Sequence, residues 1–110
     1  MSGVPSDSDW ILITKEPSIA IEVFVSPKTI SRVSDDVVRG WVKYRYSTPK
    51  SFESKYIKEL AVYNEYNCRE RTSRILRSEA YFTDGTSEPD LSARKGHVLS
   101  NDEAFKYLCK

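Results

Sequence analysis

Apolar residues recur at every second position through most of the chain. Ile19, Ile21, Val23 and Val25 share one parity, with Glu22 and Phe24 between them, and Pro27 stops the run. Alternation of that kind predicts a half-buried strand. A shorter strand is expected over Trp10 to Thr14, ending before Pro17. Val37 to Tyr46 is rich in β-branched, aromatic and basic residues, with Gly40 inside it as a bulge or a point of close approach. Thr48-Pro49-Lys50-Ser51 reads as a polar break. From Tyr56 to Cys68, one parity carries Leu60, Val62, Tyr66 and Cys68 while the other carries Ile57, Ala61 and Tyr63. Thr72 to Thr83 predicts another long strand, closed by an Asp84-Gly85 turn. A short extension is expected within Lys95 to Leu99.

The pattern changes at the end of the chain, SNDEAFKYLCK. Ser100 and Glu103 are spaced as a capping box, and Ala104, Phe105, Leu108 and Cys109 make one apolar stripe. This predicts a helix of about ten residues, too short to persist alone in water and therefore docked on the sheet. The expected fold is α+β: an antiparallel sheet of about five to six strands with one C-terminal helix packed on a face.

Length and composition narrow the classes. At 110 residues, 39% hydrophobic and 12% aromatic, the chain suits one folded domain. Residues 10–110 are expected to form it, with 1–9, polar and rich in Pro, Gly and Ser, as a flexible linker. Seventeen basic residues against sixteen acidic ones leave a net charge of +1, so no global field recruits nucleic acid or an anionic membrane. No apolar run approaches the ~18 residues of a transmembrane helix. The start lacks the charged head and apolar stretch of a signal peptide. That leaves either a cytosolic protein or an exported domain whose leader is not in this sequence.

Cys68 and Cys109 both fall on positions expected to face the helix–sheet interface. A disulfide there would staple the terminal turn to the sheet, and it is preferred over two buried free thiols. It also favours an oxidising compartment. Two cysteines and the lone His97 lack the paired spacings of a zinc site, so no metal is expected. Ser100 is better explained as a cap than as a nucleophile, and His97 as a solvated side chain. Neither catalysis nor a cofactor is expected; the four glycines form no phosphate loop.

Several segments, taken in order, resemble one family. They are Trp10 opening the first strand, Val25-Ser26-Pro27-Lys28-Thr29-Ile30-Ser31-Arg32, Val38-Arg39-Gly40-Trp41-Val42-Lys43, and Tyr66-Asn67-Cys68-Arg69-Glu70-Arg71-Thr72-Ser73-Arg74-Ile75-Leu76. A turn over Tyr81 to Gly85 and the terminal Cys109 complete the set. The chain thereby resembles the bacterial surface-adhesin protein E-like family over nearly its whole length. Ser26-Pro27 departs from that pattern, standing where a tyrosine–aspartate pair is usual. The resemblance implies an exported bacterial domain, periplasmic or at the outer surface, secreted or lipid-anchored. Its sheet would carry a C-terminal helix tethered to one face by the disulfide. It further implies binding to host extracellular-matrix or envelope proteins, with dimers among the members.

A binding surface is expected on the sheet face opposite the helix. Trp41, Tyr63, Arg71, Arg77 and Tyr81 are its candidates, with Ile57 and Ile75 beside them. Tyr, Trp and Arg are the types enriched at interface hot spots. Such a face would take a protein partner or a second copy in a homodimer. Basic residues interleaved with aromatics also keep a cytosolic single-stranded nucleic-acid binder as the alternative function. Against it, the cations are expected to be balanced by Glu59, Glu65 and Glu79 on a solvated face.

Overall fold

The computed structural model describes residues 4–16, 21–52, 54–89, 98–99 and 103–109. Eight strands among them form one antiparallel sheet. These are β1 (Ile11–Glu16), β2 (Ile21–Val25), β3 (Ser31–Arg32), β4 (Val37–Phe52), β5 (Lys55–Asn67), β6 (Thr72–Phe82), β7 (Ser87–Pro89) and β8 (Val98–Leu99). The main order is β1-β2-β4-β5-β6-β7, with β3 beside β4 and β8 beside β6. The sheet is therefore larger than the five or six strands expected. Its additions are two- and three-residue strands, too short to show any period.

The alternating residues of β2, β4 and β5 become one face of this sheet. Val42 lies opposite both Val25 and Val62, and Val38 opposite Tyr66. These side chains are buried together with Ala104, Phe105 and Leu108 of α1 (Glu103–Leu108). The Phe105 ring meets Tyr66 edge-on at 5.8 Å. Cys68 and Cys109 are joined in a disulfide, with Cα atoms 5.6 Å apart. Gly40 serves the close approach: a Cβ there would stand 3.0 Å from Leu108 Cδ2. Helix α1 is six residues long, shorter than expected. Ser100, the expected cap, and His97 lie outside the described residues, as does the Glu103 side chain.

Three expectations are corrected by irregularities in register. β4 does not stop at Tyr46; it continues through Pro49 to Phe52 after a shift between Arg45 and Lys50. Pro49 cannot donate to a ladder, and it falls within that irregular stretch, where a bond is already missing. In β6, Ile75 pairs with Asn64 while Arg77 pairs with Tyr63, so Leu76 is an extra residue. One inserted residue reverses parity. Ile75 therefore packs against the core instead of joining Arg77 on the other face. A second shift, between Ile57 and Glu59, places Ile57 opposite Phe82 and removes it from the series that holds Ala61 and Tyr63.

Candidate binding face

The face turned away from α1 is built in cross-strand rows. Arg39 of β4 lies opposite Glu65 of β5, which lies opposite Arg74 of β6. The next row is Trp41, Tyr63 and Arg77, and below it Phe24, Lys43, Ala61 and Glu79 follow from β2 to β6. Glu22, Arg45, Glu59 and Tyr81 form the fourth row. Directly opposed residues on one face are the contacts that stabilise an antiparallel sheet, so these rows carry structure as well as chemistry.

Charge is neutralised internally at two points. Glu65 receives Arg39 Nε and Nη2, both at 2.8 Å, and Arg74 Nε at 3.0 Å. Partial burial of the Glu65 carboxyl favours its neutral form, but the hydrogen bonds and charges of Arg74 and Arg39 prevail and hold it below the usual range. Glu59 accepts Arg45 Nε at 2.6 Å, with Lys43 Nζ at 3.9 Å. Lys43 is buried because its ammonium lies against two rings, 4.8 Å from the centre of Trp10 and 5.0 Å from that of Phe24. Arg45 stands 4.8 Å from the same Phe24 ring.

Beside these residues opens a cleft of ≈ 590 Å³, walled by Trp10, Phe24 and Tyr46 with Arg45, Lys58 and Glu59 around it. It lies beside the register shifts of β4 and β5, between Arg45 and Lys50 and between Ile57 and Glu59.

The five residues expected to bind are distributed unevenly. Tyr63, Arg77 and Tyr81 share the helix-free face; Arg77 is exposed, and the two tyrosines are half-buried. Trp41 shares the face but is only 5% exposed, its ring 5.5 Å from that of Tyr63. Its backbone N–H is held by Thr29 Oγ1 at 3.0 Å, in the turn between β2 and β3. Arg71 lies off the face, in the β5–β6 turn, at a φ of 57°. Of the cleft residues, Lys43 and Arg45 belong to the basic–aromatic interleaving seen in the sequence, whereas Trp10, Phe24, Tyr46 and Lys58 are not binding candidates there. Phe24 stood out only as the odd residue of an apolar run, and nothing local links it to Lys43 or Trp10.

Among the described residues, no cluster of three or more His, Cys, Asp or Glu side chains could hold a metal, and no helix is long and apolar enough to cross a membrane. Comparison with curated proteins and with solved structures gives no match. The family model described as surface-adhesin protein E matches residues 10–110. With that match over nearly its whole length, this chain belongs to the surface-adhesin protein E family.

Proposed function

We propose that residues 10–110 form a non-catalytic, exported binding domain that recognises extracellular or envelope proteins through the helix-free sheet face. Helix α1, whose Ala104, Phe105 and Leu108 are buried with the core residues of the other face and which is tethered by Cys68–Cys109, lies away from this face. Family membership supports an adhesin-like role at a surface. The disulfide is compatible with an oxidising compartment. A periplasmic or outer-surface location, by secretion or lipid anchoring, is part of the proposal.

The observation that carries the reading is the row in which exposed Arg77 lies opposite Tyr63, with Trp41 buried behind as a rigid support. Among the described residues Arg77 makes no ion pair, in contrast to Arg39, Arg45 and Arg74. Tyr81 stands four residues along the same strand, roughly 13 Å away. Arginine and tyrosine presented on a sheet suit a protein contact.

The test is binding of the purified, oxidised chain to immobilised extracellular-matrix proteins by surface plasmon resonance. Replacing Arg77 and Tyr81 together by Ala is expected to weaken binding at least about tenfold, roughly 1.4 kcal/mol. Arg71→Ala, in the turn, is expected to leave it unchanged. Binding that survives the double substitution, or that depends on Arg71 instead, refutes the assignment of the face.

A further inference from the structure

We infer that the cleft beside the register shifts of β4 and β5 binds a sulfated polysaccharide; this rests on the reading of the chain as an extracytoplasmic binding domain and names a ligand class for the same face. The cleft volume of ≈ 590 Å³ lies in the range of small-ligand sites and suits a few sugar rings. Its aromatic walls are held in place by the protein's own cations, Lys43 against Trp10 and Phe24 and Arg45 against Phe24. Glu59, the one carboxylate of the lining, is engaged by Arg45 at 2.6 Å.

Positive charge remains at the rim. Lys58 is the extra residue at the β5 shift between Ile57 and Glu59. It is exposed and makes no ion pair among the described residues. Lys50, whose ammonium stands 5.4 Å from the centre of the ring of the cleft residue Tyr46, is likewise exposed and has no carboxylate partner among them. An anion is therefore the complementary ligand.

Two features favour a saccharide over an acidic peptide. At Lys43 and Arg45, β4 is paired on both sides, by β2 and by β5. Among the described residues β4 is therefore closed on both sides there, and an extended peptide cannot add to it by backbone pairing at that point. Recognition falls to side chains. The aromatic faces of Trp10 and Tyr46 suit the C–H face of a pyranose ring, and the ammonium groups of Lys58 and Lys50 donate to sulfate oxygens.

Titration calorimetry of the full, oxidised chain with a heparin hexasaccharide tests this, with its desulfated counterpart and a glutamate oligomer as comparisons. The sulfated sugar is expected to bind, more weakly as salt is added, and the other two at least about tenfold less well. Lys58→Glu and Trp10→Ala are each expected to lose about tenfold, with Lys58→Arg retaining most of the affinity and Arg71→Glu changing it less than about twofold. Lys58 is exposed, so its variants carry the test even if Trp10→Ala fails to fold by circular dichroism. Absence of binding to the sulfated sugar, equal binding of the glutamate oligomer, or an Arg71→Glu loss as large as that of Lys58→Glu overturns the inference. If matrix-protein binding persists while polysaccharide binding is absent, only this inference falls. If matrix-protein binding is absent while the sugar binds through Lys58, it is the protein-binding reading that falls.

Discussion

A Cβ built on Gly40 would stand 3.0 Å from Leu108 Cδ2, 3.2 Å from Ile30 Cγ1 and 3.6 Å from the Ile30 Cα. Gly40→Ala sets two effects against each other. Restricting the unfolded chain stabilises by about 0.4–1 kcal/mol where the backbone tolerates alanine. Crowding a packed core costs about 1–3 kcal/mol. Relief would have to come from Leu108, and its neighbour Cys109 is bonded to Cys68, so α1 has little freedom to withdraw. Crowding is expected to prevail, lowering stability by about 1 kcal/mol. A urea midpoint equal to or above that of the parent would contradict the argument. Trp41 teaches a related lesson at the same scale. A residue whose parity points away from the core can still be only 5% exposed, here with a neighbouring ring 5.5 Å away.

Helix α1 shows what an element gains from a covalent tie. At six residues it is below the length at which helices persist in water. The disulfide closes a separation of 41 residues, worth about 4 kcal/mol in the chain-entropy account. Reduction, or Cys109→Ser, is expected to lower the midpoint of global unfolding and to release α1 before the sheet. The readout is hydrogen exchange of the Cys109 amide, which donates to the Phe105 carbonyl at 2.9 Å. If that amide stays as protected in the reduced chain as the amides of β4 and β5, the helix does not depend on the tie. Elements of this kind were legible from the chain alone. Alternation in β2, β4, β5 and β6 and the stripe Ala104, Phe105, Leu108 and Cys109 are local patterns, and together they placed the cysteines together. The shifts at Leu76 and Lys58 were not legible, because an extra residue in one strand is defined only by its partner. For that reason the sequence pattern puts Ile75 on the wrong face and carries no sign of the cleft, while it marks Tyr63 and Arg77 without their pairing.

Across the whole molecule, the Arg39–Glu65–Arg74 ladder ties the three longest strands, and it makes stability depend on pH. The Glu65 carboxyl is partly buried, which alone would raise its pKa; Arg74 and Arg39 reverse the sign and leave it below its ordinary 4.5. A carboxyl depressed in the folded state adds stability that is fully present above the unfolded value and is lost as pH falls through the folded one. Asp84, bonded by Thr86 and near Lys55, and Asp9, bonded by Ser6 and Lys28, are depressed as well and act in the same direction at the surface. The urea midpoint is thus expected to hold steady near neutrality and to fall as the solution is acidified below about 4.5, the ordinary glutamate value. Glu65→Gln separates the ladder from the other carboxylates. At neutral pH it strands two guanidinium groups, but Arg39 and Arg74 are 36% and 40% exposed, so water recovers part of the loss. The expected cost is about 1 kcal/mol. In acid the parent's Glu65 is itself protonated, so the two midpoints should converge. Parallel curves from neutral pH into acid would show that the ladder's charge contributes nothing and that the glutamate serves only by its shape.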